Sequence, residues 1–149
     1  MAGIHCEIIP AERVVFKNDV DMVVAPGIDG QLGILPHHAP LMTALTIGEL
    51  VLHKAGEEDT IVAIGGGFME VGPEHVTILA DSAERAEEID EARAEAARRR
   101  AEATMSLARG EEEDKIRAQA ALRRSMLRLK VAKRRPKSGS PGGRPKTNR

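Results

Sequence analysis

Residues 76–94 read Val76-Thr-Ile-Leu-Ala-Asp-Ser-Ala-Glu-Arg-Ala-Glu-Glu-Ile-Asp-Glu-Ala-Arg-Ala94, and within them the texture of the chain changes once. Up to Ala80 apolar residues recur at every second position, the period of a half-buried strand. Beyond Asp81 the chain turns to Ala, Glu and Arg, with no Gly or Pro before Gly110. Those are strong helix formers. A run of strands followed by a run of helices argues against a parallel α/β fold, in which the two would alternate.

Working back from that point, short apolar runs occupy residues 4–9, 14–16, 22–25, 32–35, 41–45, 50–52, 61–64 and 68–71. Turn formers separate them: Asn18-Asp19, Pro26-Gly27, Asp29-Gly30, Pro36, Gly48, Gly56 and Gly72-Pro73. Many short strands punctuated by Gly and Pro read as a sandwich or a barrel. Tyr and Trp are absent and Phe16 and Phe68 are the only aromatics, so the core is aliphatic.

Working forward, Asp81-Ser82-Ala83-Glu84 has the form of a capping box, with an alternative helix start a turn later near Glu87. The apolar face of the first helix is thin: Ile89, Ala92, Ala96, Ala103 and Leu107. Arg109-Gly110 marks its end, with Gly available for a left-handed cap. Glu111, Glu112, Glu113 and Asp114 then complement the dipole of a second helix over about residues 112–131. Its apolar positions are Ile116, Ala120, Met126, Leu127, Leu129 and Val131, with Leu122 between, and its basic positions are Arg117, Arg123, Arg124, Arg128 and Lys130. A short connector makes the pair an antiparallel hairpin. An alanine seam buries little area, so this arm detaches at modest cost.

Three blocks result: a β domain over residues 1–83, a helical hairpin over 84–132 and a basic tail over 133–149. The first carries 12 acidic and 3 basic residues, the second 11 and 12, and the third none and 7. The tail is Pro, Gly, Ser, Lys and Arg, a composition that stays disordered.

No catalytic constellation emerges. Cys6 is the single cysteine, which excludes an internal disulfide and a four-cysteine zinc site, and its place in the first strand suits a buried thiol. His37 and His38 are adjacent in a Pro-flanked loop, which does not supply converging metal ligands; an exposed or partner-contacting loop is expected. Gly65-Gly66-Gly67 lacks the Lys-Ser/Thr of a phosphate loop and reads as a bulge or close packing in a strand. No signal peptide or membrane-spanning helix is visible: the longest stretch free of Asp, Glu, Lys and Arg, residues 30–48, holds two prolines and two histidines. A basic tail can neutralise nucleic-acid phosphates, which is the rival reading. The β domain is acidic and lacks base-stacking aromatics, which weighs against it. The expectation is a non-catalytic part of a larger assembly.

Two stretches carry a family resemblance. The first is Val24-Ala-Pro-Gly-Ile-Asp-Gly-Gln-Leu-Gly-Ile-Leu-Pro-His-His-Ala-Pro-Leu41. The second is Ile64-Gly-Gly-Gly-Phe-Met-Glu-Val71, with Val76 to Glu84 and Ile89-Asp-Glu-Ala-Arg-Ala94 after it. In order, spacing and length, residues 3–132 resemble the epsilon subunit of bacterial F-type ATP synthases, called delta in mitochondria. Two departures stand out: His37, where the family often has Gly, and the basic tail after Ala132.

The resemblance implies a flattened β-sandwich of about ten strands with a C-terminal helical hairpin. It also implies a non-catalytic subunit of the rotating central stalk that couples proton flow to ATP synthesis. The implied partners are the gamma subunit, the ring of c subunits and the alpha/beta catalytic head. The implied position is peripheral, on the cytoplasmic face of the bacterial cell membrane through the complex. Gly30, Gln31, Leu32, His37 and His38 correspond to the part that faces the c ring. Arg117, Arg123, Arg124, Arg128 and Lys130 are the expected contacts with the head when the arm extends and inhibits hydrolysis. No cofactor is required, but some members bind regulatory ATP in the folded arm. Their Ile/Leu-Asp-x-x-Arg-Ala pattern is matched by Ile89, Asp90, Arg93 and Ala94, with Glu84 and Arg100 at suitable offsets. Arg123, Arg124 or Arg128 would then meet the phosphates, for which arginine forks are suited.

Overall fold

The computed structural model describes residues 3–107 and 112–135. Eight strands precede two helices: β1 (Ile4–Pro10), β2 (Phe16–Val20), β3 (Met22–Gly27), β4 (Gly30–Ile34), β5 (Leu41–His53), β6 (Thr60–Val71), β7 (His75–Ala80), β8 (Ala83–Arg85), α1 (Glu91–Leu107) and α2 (Glu112–Ala132). A 3-10 turn, Ala86–Glu88, joins β8 to α1. The sheet order is β2-β1-β7-β6-β5-β3-β4, with β8 beside β6. β1 and β7 are parallel; the other pairs are antiparallel.

The strand count falls short of ten because the strands continue through the glycines at 48 and 65–67 rather than ending there. The runs at 41–45 and 50–52 are one strand, β5, and those at 61–64 and 68–71 are another, β6. β6 changes neighbours along its length: residues 62–64 pair with β8, and 67–71 with β7. The long strands thereby serve both layers, and alternate residues from β1 to β7 meet in one core that includes Cys6, Ile8, Val23, Ile34, Leu50, Ile64, Met69 and Ile78. Gly67 permits the passage. Its φ of +140° is unfavourable for an L side chain, and a Cβ there would lie 2.8 Å from Ala80 Cα and closer still to Leu79 O.

A second, smaller core lies outside the first. Ile61-Val62-Ala63-Ile64 are buried without a break. Val62 and Ile64 point into the sandwich. Ile61 and Ala63 point the other way, into a cluster with Ala86, Ile89, Leu127, Val131 and Ala132. The last turns of α2 therefore rest on the outer face of β6.

Several local expectations change. Asp81–Glu84 is not a capping box, because Ala83–Arg85 pair with Val62–Ile64 as β8, a strand that straddles the division drawn at 83/84. The cap falls on Asp90, whose Oδ1 accepts from the Arg93 N–H at 3.1 Å. On α1 the buried residues are Ala94 and Ala101, not Ala92, Ala96 and Ala103, which are exposed. On α2 they are Ala118, Ser125, Val131 and Ala132, while Ile116 and Met126 face outward. On α2 close approach to α1 selects small residues and turns Ile116 and Met126 outward, while on α1 the position of α2 decides which of several alanines face inward. Arg134 and Arg135, read as the start of a solvated tail, hold ion pairs instead. The break at Arg109-Gly110, Glu111 and residues 136–149 lie outside the described residues.

Burial pushes the Cys6 thiol up to about 12. In the folded chain Cys6 resists alkylation at pH 8 and reacts once denaturant unfolds the sandwich, as thiol-labelling rates followed by mass spectrometry would show. Gly67→Ala lowers stability by about 2 kcal/mol or more, through backbone strain and the close contact with β7, measured by urea unfolding.

Candidate functional site

The joint between sandwich and arm encloses a cleft of about 430 Å3. Its floor is Ala63, Ile64 and Gly65 of β6, one side is Ser82 and Glu84, and the other is Ala97 of α1 with Ala121, Arg124, Ser125 and Arg128 of α2. Small residues keep it open. A Cβ on Gly65 would press on the Ser82 side chain and lie 3.5 Å from Arg124 Cδ. Ser125 is buried, its hydroxyl donating to the Leu122 carbonyl 2.9 Å away, which satisfies it within the helix.

The charges in the cleft are arranged unequally. Arg128 grips Glu84 with two donors, Nε to Oε2 at 2.5 Å and Nη2 to Oε1 at 3.1 Å. This bidentate pair spans β8 and α2 and is about a quarter to a third exposed. Arg124 makes no ion pair among the described residues, so one positive charge remains unmatched in the cleft. A second cleft, of about 640 Å3, opens further along the hairpin between α1 and α2. Arg100, Asp114 and Arg117 line it, and Ala97 and Ala121 belong to both clefts.

Of the residues proposed for ATP, the structure brings Glu84, Arg124 and Arg128 together and places Arg100 beyond the shared alanine wall. Ile89 and Ala94 are buried, Asp90 is occupied in capping α1, and Arg93 is exposed beside it. Arg117, Arg123 and Lys130 are exposed on α2. Ser82, Gly65, Ala97, Ala121 and Ser125 were not singled out as site residues. The only signals were the triple glycine and a serine inside a helix.

The loop residues expected to face a ring of partners fall in two segments. Gly30, Gln31 and Leu32 open β4 just after the tight turn that pairs Gly27 with Gly30. His37 takes a φ of 64° and donates its N–H to the Pro73 carbonyl at 3.0 Å, resting the second segment on the β6–β7 turn. His38 Nδ1 lies 2.7 Å from the Ala39 carbonyl. Elsewhere, the outward face of β5, β6 and β7 carries Met42, Phe68 and Leu79 at 71%, 59% and 56% exposure. Phe68 pairs directly with Leu79, and with Met42 they line a shallow apolar hollow. Large apolar side chains grouped this way on open surface mark an interaction face.

A closed sandwich with an exposed apolar face, and a charged arm seated on the outer face of β6, defines a docking subunit. The sequence matches the family described as ATP synthase, Delta/Epsilon chain, in its beta-sandwich domain over residues 3–86 and its long alpha-helix domain over residues 87–133. The chain therefore belongs to the ATP synthase delta/epsilon family. It is 55% identical over 137 residues to the ATP synthase epsilon chain of Dehalococcoides mccartyi strain BAV1, covering 92% of this chain and 97% of that one. It is 66% identical over 94 residues to the epsilon chain of Roseiflexus sp., covering 63% and 67%. Among solved structures, a chain of the Euglena gracilis mitochondrial ATP synthase F1/c-ring assembly shares the fold, with a TM-score of 0.73 at 24% identity over 89% of this chain and 82% of that one. The nucleic-acid reading gains no support from these matches.

Gly65→Val is expected to leave the sandwich folded, since a β-branched residue suits a strand, while filling the cleft. Hydrogen exchange should then accelerate at the end of α2 and stay slow in β1 and β7.

Proposed function

We propose that this chain is a non-catalytic subunit of the central stalk of an F-type ATP synthase, coupling proton flow to ATP synthesis. The carrying observation is an exposed apolar face on a small closed sandwich that also carries a charged helical arm. The apolar face of Met42, Phe68 and Leu79 suits a permanent seat on the gamma subunit. The segments with Gly30, Gln31, Leu32, His37 and His38 would meet the c ring, which gives the chain a peripheral membrane position on the cytoplasmic side of a bacterial cell.

The arm is the regulatory element of this reading. When it extends, Arg117, Arg123, Arg124, Arg128 and Lys130 would meet acidic surface on the alpha/beta head and restrain ATP hydrolysis. Charge contacts of this type steer docking and weaken with salt. Folded, the arm offers the cleft beside Gly65 to ATP. Arg124, unmatched there, would meet the phosphates, and Glu84 can accept from the adenine amine if Arg128 turns toward the phosphates. The cleft volume falls within the range of small-molecule sites. Bound ATP would touch β8, α1 and α2 at once and so favour the folded arm.

Calorimetric titration of the full chain with ATP tests the ligand. Saturable binding that weakens about tenfold or more in Arg124→Ala is expected; no heat at millimolar ATP would sink the nucleotide site. For the stalk, a tagged copy in its host should bring down gamma, c, alpha and beta from solubilised membranes. Removing residues 91–149, which keeps β8 and the turn after it, should raise the ATPase rate of that complex, and an unchanged rate would refute the inhibitory arm.

A further inference from the structure

Two arginines just beyond the matched helical domain, which ends at residue 133, reach back across the joint. Arg134 Nη1 donates to Glu49 Oε2 at 2.7 Å. Glu49 stands on β5 with its side chain only 17% exposed, and its Oε1 is buried without a hydrogen-bond partner. Arg135 Nε donates to the Ala86 carbonyl at 2.8 Å, its Nη2 donates to the Ile89 carbonyl, and its Nη1 lies 3.8 Å from Glu91 Oε1. Ala86 and Ile89 bracket the turn on which the arm hinges.

We propose that Arg134 and Arg135 form an electrostatic latch that holds the end of α2 and the hinge against the sandwich, and that rising ionic strength releases it. The latch has two points of different character. Arg134 neutralises a carboxylate that the docked arm withdraws from water. If Arg134 alone is removed, Glu49 is left poorly solvated beneath the arm, which favours undocking and rehydration. Desolvation of such a pair roughly offsets its attraction, so the docked and released states lie close in free energy and a modest perturbation moves the balance. Arg135 caps the carbonyls around the hinge, fixing the angle at which the chain leaves β8.

Beneath them lies only the small apolar cluster of Ile61, Ala63, Ala86, Ile89, Leu127, Val131 and Ala132. With so small an apolar contact, loss of one partner of the pair, which leaves the other charge unmatched, is enough to shift the end of α2 toward release. Arg13, whose Nη2 lies 3.2 Å from Glu88 Oε2, anchors the hinge from the β1–β2 side and stays with the sandwich when the latch opens. The latch deepens the regulatory reading, and only its effect in the assembled enzyme rests on that reading; its chemistry is testable on the isolated full chain.

The test is amide hydrogen exchange on that chain, comparing the end of α2 and the hinge amide of Ile89 with amides of β1 and β7. In Glu49→Gln and in Arg134→Ala, exchange at the end of α2 and the hinge should rise about tenfold while β1 and β7 stay unchanged. Arg134→Lys, which keeps the charge, should preserve most of the protection. Raising salt from about 0.05 M to about 0.5 M should carry the native chain toward the Glu49→Gln behaviour and alter that variant little. Arg99→Ala, which removes a pair confined to α1, should leave the end of α2 as it was. Unchanged exchange in both single variants would overturn the latch. So would equal acceleration in β1 and β7, which would make these residues props of the whole fold, and so would Arg134→Lys behaving like Arg134→Ala. A latch confirmed here but without effect on the ATPase of the assembled complex would count against the inhibitory arm and leave the latch standing.

Discussion

The first half of β6 is covered on both faces, and the rest of the structure is arranged around that constraint. Val62 and Ile64 close the sandwich while Ile61 and Ala63 seat the arm. A strand with one apolar face would complete the sandwich and leave the helices with nothing to rest on. The second face also requires small residues at the joint. Gly65 lets Ser82 and Arg124 approach, and Ala97 and Ala121 keep the helices near enough to share the contact. The same economy of side chain that permits docking leaves a cleft.

The apolar contact at the joint is small, and charged groups fix its geometry. Arg128 with Glu84, Arg134 with Glu49 and Arg135 with the hinge carbonyls all cross from arm to sandwich or linker. Exposed pairs contribute little. Partly buried ones trade desolvation against attraction and end near balance. An element held in this way has a firm geometry and a shallow free-energy preference, which suits a part that takes two positions in one machine. The sandwich has the opposite character, with a large continuous core and strands that pair along most of their length.

Function here lies in surfaces more than in a reaction centre. The apolar hollow of Met42, Phe68 and Leu79 lies on the sandwich and the exposed basic residues Arg117, Arg123 and Lys130 lie on α2, so the two surfaces belong to different parts of the molecule.

The sequence by itself determined the division into strands then helices, the aliphatic core and the buried thiol at Cys6, because period-two alternation and Ala-Glu-Arg composition are local signals. It also carried the family, through long motifs in fixed order. Tertiary structure alone decided where strands continue through glycine, which alanines of α1 face inward, that residues 83–85 form a strand, and that Arg134 and Arg135 fold back. Each of those depends on a neighbour far away in the chain. Strands continue through Gly48 and Gly65 because β5 and β6 pair along their length. Ala94 is buried and Ala92 exposed because α2 lies on one side. Arg134 is held because Glu49, 85 positions earlier, needs a charge beside it. In the cleft, Glu84, Arg124 and Arg128 were legible as chemistry and illegible as geometry, since no local pattern records which residues of a strand and a distant helix will meet.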